Sequence, residues 1–215
     1  MVASQDLAAL ALSFAFILAI VAVAFLLYRY AHLGAEVVRK LIHIGVSNWV
    51  FILVFCFSDP RVALAGPAAF IIINAVFVYS GAAKFLGMGN RKRDNGLIYF
   101  PLSLLILTLL DIRGLIAPYD VIAGTLVMGY GDGLAALIGS LWGRHQYSVM
   151  NARKSWEGTL VMFFVSLAVV LIFTPYSLTT ALVMALVAAF FEAVTPLGLD
   201  NITVPLLTVL TGVIL

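Results

Sequence analysis

Asp132 sits in Gly129-Tyr130-Gly131-Asp132-Gly133, inside an apolar run whose one other charge, Asp120, lies at its far end, and Ala135, Ala136, Gly139 and Gly143 follow it at i+3, i+4, i+7 and i+11. That spacing puts a carboxylate at the head of a stripe of small residues on one helix face. Small residues let helices approach closely, but close packing gives no reason for the charge. A carboxylate at membrane depth is costly without a partner, and hard metal ions or cationic side chains are the kinds available. Some 22 positions later, Lys154-Ser155-Trp156-Glu157-Gly158-Thr159 opens a new apolar run. Ser155 reads as an N-cap, and a helix N-terminus preceded by Lys154 offers N–H groups and positive charge to an anion such as phosphate. Gly158 allows close approach. With Asp132 these residues supply both halves of a metal-nucleotide site, a carboxylate for Mg²⁺ and cations for phosphates. The chain has no Walker A motif.

Two further groups belong with them. Glu36, Arg39, Lys40 and His43 fall at i, i+3, i+4 and i+7, one face of a helix, with apolar residues around the remainder. His43 lies inside the start of an apolar run, so this face reads as a polar stripe turned toward a headgroup or a nucleotide. Glu192 ends another run, and Asp200-Asn201 opens the last one, where oxygen ligands would face the same side as Asp132. The densest positive cluster, Asn90-Arg91-Lys92-Arg93-Asp94-Asn95, reads as an anchor to anionic lipid.

The elements that must position these groups are membrane helices. Of 215 residues 64% are hydrophobic and 10% charged, with mean hydropathy +1.14, where soluble domains carry about 25% charged residues. Apolar runs fall at about 7–28, 41–57, 62–83, 97–110, 119–140, 159–173, 178–194 and 202–215. The sequence therefore predicts an all-α polytopic membrane protein, one integral membrane domain over 1–215 with seven to eight spans of roughly 20 residues. The final run is short for a full crossing. In alternate loops, Arg29, Arg39, Lys40, Lys84, Arg91, Lys92, Arg93, Arg144, Arg153 and Lys154 stand on one side against Arg61 and Arg113 on the other. The positive-inside rule then places the N-terminus outside and the candidate active site at the cytoplasmic face. A net charge of +2 leaves no nucleic-acid footprint, and the lone Cys56 excludes an intrachain disulfide. An ion-coupled transporter would use an intramembrane carboxylate too, but no internal repeat or paired broken helices mark one.

Four blocks in order, Glu36-x-x-Arg39-Lys40-x-x-His43, Gly131-Asp132-x-x-Ala135-Ala136-x-x-Gly139-x-x-x-Gly143, Lys154-Ser155-x-Glu157-Gly158-Thr159 and Asp200-Asn201-x-x-Val204-Pro205, resemble the polyprenol, phytol and diacylglycerol kinase family, which includes dolichol kinase. The resemblance runs from about residue 35 to 207. It implies a multi-pass enzyme that phosphorylates a lipid alcohol with CTP as co-substrate. It assigns Asp132, Arg144, Lys154, Ser155, Glu157, Asp200 and Asn201 to the nucleotide and metal site, with Gly131 and Gly158 beside them. The two middle blocks are also similar to phosphatidate cytidylyltransferase, which makes CDP-diacylglycerol. That family has a late His-Gly-Gly block followed by two aspartates, where this chain reads Pro196-Leu197-Gly198-Leu199-Asp200-Asn201, so the kinase resemblance is the stronger. The expected site has Asp132, Asp200 and Asn201 on Mg²⁺, Lys154 and Arg144 on the triphosphate, and Glu36, Arg39, Lys40 and His43 at the lipid headgroup. The general base stays open among Asp132, Glu157, Glu36 and His43.

Overall fold

The computed structural model of the protein describes residues 3–31, 33–86, 94–149 and 152–215. Each of the eight apolar runs forms helix. The first is α1 (Ser4–Tyr30); the second is α2 (Ala35–Ser47) continued by α3 (Trp49–Cys56); the third is α4 (Pro60–Ala63) continued by α5 (Ala65–Tyr79). Then come α6 (Gly96–Ile112), α7 (Pro118–Leu126), a π-helical segment (Val127–Asp132) and α8 (Gly133–Trp142). A hairpin, β1 (Gln146–Val149) and β2 (Ala152–Ser155), leads into α9 (Trp156–Phe173), α10 (Leu178–Val194) and α11 (Asp200–Ile214). Five helical stretches are long and apolar enough to cross a membrane: Ser4–Tyr30, Ala35–Cys56, Pro60–Tyr79, Pro118–Trp142 and Trp156–Phe173. Gly96–Ile112, Leu178–Val194 and Asp200–Ile214 are shorter apolar helices. The Asn90 to Arg93 part of the basic cluster lies outside the described residues.

The stretch from α7 to α8 is the bundle's axis. It is the most deeply buried of the long helices, and it packs against α2, α3, α6, α9 and α11. The buried core, including Trp49, Leu107, Leu126, Met128, Met162 and Met184, surrounds it. Large apolar side chains such as Leu18, Phe55, Ile72, Phe164 and Phe190 are exposed along the outer helices, as faces turned to lipid require. Away from the candidate site, Asp6 accepts bonds from the Ser58 backbone (2.7 Å) and hydroxyl (2.9 Å), tying α1 to the turn before α4.

One segment read as loop is ordered as strand. Tyr147 pairs with Lys154 and Gln146 with Ser155 in antiparallel register. Residues alternate between exposed and half-buried along β1; Tyr147 packs on Trp156 at 5.3 Å between ring centroids and bonds Thr159 at 2.7 Å. These contacts fasten the hairpin onto the first turn of α9, which is too little pattern for periodicity to reveal in so short a segment.

Candidate active site

The π-helical segment ends at Asp132. A π-turn spreads one extra residue over a helical turn, which re-aims the side chains that follow and is common at functional sites. Here the Asp132 carboxylate meets α2: Lys40 Nζ donates to its Oδ2, both residues are buried, and His43 Nε2 stands 3.9 Å from the same oxygen. Lys40 and His43 lie three residues apart and so share a face. The His43 ring also packs on Phe100 at 4.6 Å between centroids, and its Nε2 is buried with no hydrogen-bond partner. The rest of the predicted polar stripe pairs within α2, Arg39 with Glu36 at 2.6 Å. The four-residue face therefore divides into a half that meets Asp132 and a half whose charges pair with each other, with Arg39 still largely buried.

A second buried ion pair lies alongside. Lys154, carried on β2, donates to the backbone carbonyl of Glu192 and to its Oε1 at 2.7 Å. Burial works against the Lys154 ammonium, but the Glu192 carboxylate outweighs it and holds the lysine above its ordinary value, with Asp200 and Asp132 adding to the effect. Asp200 in turn interacts electrostatically with Asp132, Lys40 and Lys154. Its Oδ1 accepts from the Asn201 backbone (3.0 Å) and side chain (2.9 Å), and Asn201 Nδ2 also donates to Gly198 at 3.0 Å. The turn before α11 is set by two consecutive left-handed residues, Leu197 (φ 63°) and Gly198 (φ 81°). Such a conformation suits glycine and is uncommon for leucine. Asp132, Lys40, His43, Lys154, Glu192 and Asp200 thus form one polar cluster. Among the described residues no three His, Cys, Asp or Glu side chains are grouped to ligate a single ion.

Other predicted residues sit apart from this cluster. Glu157 accepts from the Arg144 and His145 backbone N–H groups, each at 3.2 Å, and from His145 Nδ1 at 2.8 Å, so it ties down the entry to the hairpin. The helix between Asp132 and Gly143 is about 16 Å long at 1.5 Å per residue, and Arg144, just past its end, is exposed. Ser155 caps α9 as expected, its Oγ accepting from Gly158 at 3.1 Å. The small-residue stripe has a packing role: a Cβ on Gly139 would come within 2.8 Å of Ser155 Oγ, and one on Gly158 within 2.9 Å of the Ala135 carbonyl oxygen. Gly131 is closed by Met162 Sδ, 2.6 Å from where its Cβ would be. Close packing therefore accounts for Gly131, Gly139 and Gly158 where they stand. Lys40, expected at the headgroup, pairs with Asp132, and Glu192, which is not among the expected nucleotide or metal ligands, holds Lys154. The signal for Glu192 is the same as for Asp132, a carboxylate in an apolar run.

Beside the cluster is a cavity of about 250 Å³ between α1, α2, α5 and α6. Arg39, His43, Asn74 and Asn201 are its polar residues; Ile17, Val46, Phe70, Phe100 and Leu104 are among the apolar ones. Asn74 is spent on the Leu97 carbonyl at 2.7 Å. An apolar chamber with a few polar groups gathered at one end is the form of a site for a long apolar molecule with a small polar head.

No protein-family model matches the sequence, and no solved structure matches it. The chain is similar to the phytol kinase of Synechocystis sp. (strain ATCC 27184 / PCC 6803 / Kazusa), with 36% identity over 202 residues, covering 87% of this chain and 83% of that one. On a likeness of this depth over most of both chains, this chain belongs to the polyprenol/phytol kinase family.

Proposed function

We propose that this protein transfers the γ-phosphoryl group of CTP to the hydroxyl of a long-chain isoprenoid alcohol of the phytol type, at the cytoplasmic face of a membrane. The observation that carries the reading is the junction of a buried ionic cluster with an apolar cavity, where His43, beside Asp132, and Asn201, bonded to Asp200, border both. An alcohol with its tail in the cavity presents its hydroxyl to His43 Nε2 and Asp132. The hydroxyl oxygen attacks the γ-phosphorus, the bond to the bridging oxygen of the leaving CDP breaks, and the hydroxyl proton passes to the Asp132–His43 pair. Phosphoryl transfer asks mainly for positioning and charge neutralisation. Lys154 and Arg144 supply cations for the triphosphate, and Lys40 holds the Asp132 carboxylate in place between turnovers. Glu157, at the hairpin entry, serves as a strut in this scheme.

Mg²⁺ usually takes one or two protein carboxylates and completes its shell with water and substrate phosphates. Asp132 and Asp200, close enough to interact, with Asn201 beside them, fit that requirement. Bound there, the ion would neutralise charge on the transferring phosphoryl group.

The test is to incubate purified protein with γ-labelled CTP and phytol. Label in the lipid and release of CDP are expected. CMP left on lipid with pyrophosphate released indicates cytidylyl transfer instead, and label retained in CTP with every alcohol offered overturns the reading. CTP is expected to be preferred over ATP at least about tenfold in kcat/KM, equivalent to about 1.4 kcal/mol, an amount that one or two hydrogen bonds to the base edge supply. Equal values would remove the nucleotide assignment alone. For the orientation, a cysteine at exposed Gln146, with Cys56 replaced by alanine, is expected to resist an impermeant thiol reagent in intact cells and to react after permeabilisation. Labelling in intact cells would put the hairpin, and the site with it, outside.

A further inference from the structure

Resting on the alcohol-kinase reading, we infer that the cavity holds only the first isoprene units of the substrate and that the remainder of the tail leaves sideways into the bilayer through a portal between α1 and α5, framed by Leu18 and Ile73. The walls of the cavity give its dimensions. On α5 it runs from Gly66 to Phe77, about 16 Å at 1.5 Å per residue. The polar end is fixed by Asn74, bonded to Leu97, and by Asn201, whose Nδ2 lies 3.0 Å from where a Cβ on Gly96 would be. The opposite end is closed by Trp49 lying flat against Gly66, where an added Cβ would come within 2.9 Å of the indole Cζ2. Trp49 is itself buried in the core.

An extended carbon chain advances about 1.2 Å per bond, so an isoprene unit with four main-chain bonds takes about 5 Å. From Asn74 at the polar end to Gly66 against Trp49 is eight residues of α5, about 12 Å, so roughly two units fill that distance. A four-unit phytyl chain at about 19 Å is too long for it, while a two-unit geranyl chain at about 10 Å fits inside. Among the described residues the lining marks a place where the excess can leave. Most lining residues are buried or half-buried, but Leu18 is 64% exposed and Ile73 48% exposed while both also line the cavity. Leu18 stands on α1 and Ile73 on α5, next to Asn74 at the polar end, and both side chains reach the outer surface. This wall is therefore open to lipid, and a tail crossing it exchanges apolar cavity for apolar bilayer at no cost in polar contacts.

The experiment compares phytol with geraniol in one preparation, because the ratio of their kcat/KM values does not depend on the fraction of protein that folds. Leu18→Trp combined with Ile73→Trp fills the portal and is expected to lower the phytol-to-geraniol ratio at least about tenfold. Leu186→Trp, at a lipid-facing position on α10, is expected to leave the ratio as in the parent. An unchanged ratio in the double variant, or an equal fall in Leu186→Trp, overturns the portal. A second measurement needs no variant: phytol carrying a photoreactive diazirine on its terminal unit, irradiated with the parent protein, is expected to form adducts on α1 around Leu18 and on α5 around Ile73. Adducts confined to α9, α10 or α11 overturn the portal. If the parent phosphorylates neither alcohol, the kinase reading fails, and the adduct map still decides the portal.

Discussion

Lys40→Met is expected to cost the folded protein about 3–5 kcal/mol, the usual penalty for removing one member of a buried ion pair. Adding Asp132→Asn to it is expected to recover most of that loss while turnover stays at least about a thousandfold below the parent. The reasoning follows from the placement of both groups in the interior, Lys40 5% and Asp132 4% exposed. Removing the ammonium leaves a carboxylate with only His43, at 3.9 Å, for company. Removing both charges leaves neutral groups of similar volume, and such replacements are often neutral for stability. On the proposed mechanism activity does not return with stability, because the charge assigned there to the metal and the proton has gone, and a single preorganised electrostatic contact is worth about 10²–10³ in rate. Unfolding in detergent followed through the intrinsic tryptophans, together with phytol phosphorylation, checks both halves. A stable double variant with parental turnover would remove Asp132 from the chemistry. An undisturbed Lys40→Met would show that the pair is not the buried contact described. For the same reason Asp132→Asn alone is a poor probe of catalysis: it leaves Lys40 buried beside an amide, so lost activity would be mixed with lost stability.

The difference between those two experiments measures what could be read from the chain before its fold was known. Asp132 announced itself, because a carboxylate inside an apolar run has to be answered by something. What answers it is Lys40, 92 residues earlier, and no local spacing connects positions that far apart. Glu36, Arg39, Lys40 and His43 were legible as one helix face, since 3.6-residue periodicity is a local property. How that face is shared, two residues on Asp132 and two on each other, depends on where α7 and α8 cross α2. The eight apolar runs were legible for the same local reason, and all of them are helical. The hairpin at Gln146 to Ser155 was not, because four-residue strands carry too little pattern. The cavity could not be seen at all, being assembled from the same Leu, Ile, Val and Phe that fill every lipid-facing surface. Gly158 and Gly131 also have a packing role that the sequence does not reveal, since a Cβ on either would meet the neighbouring helix at Ala135 or Met162.

Lys154 is the residue for which a structural role and a chemical role compete most directly, and the two predict different results. As found, its ammonium is held by the Glu192 backbone carbonyl and carboxylate, joining β2 to the end of α10. If that were its whole purpose, Glu192→Gln and Lys154→Ala would do comparable harm, each loosening the same strut. If Lys154 also moves onto the nucleotide phosphates, Glu192→Gln keeps the cation and an oxygen acceptor at Oε1, whereas Lys154→Ala removes the charge. We expect Lys154→Ala to lower kcat/KM for CTP by about 10²–10³, equivalent to about 2.7–4 kcal/mol of transition-state stabilisation, and Glu192→Gln by less than about tenfold. The ionisation of Lys154 sharpens the comparison. Its value in the folded protein is raised above the ordinary one, so the ammonium's share of the pairing is present below the unfolded lysine value of about 10.4, as long as Glu192 is ionised, and is lost as pH rises through the higher folded value. Between pH 6 and 9 Lys154 is therefore charged throughout, and the fall caused by Lys154→Ala should be the same at each pH in that range. Equal losses in the two variants would make Lys154 a strut alone, and a loss that varies across pH 6 to 9 would mean that another titrating group, not this ammonium, carries the effect.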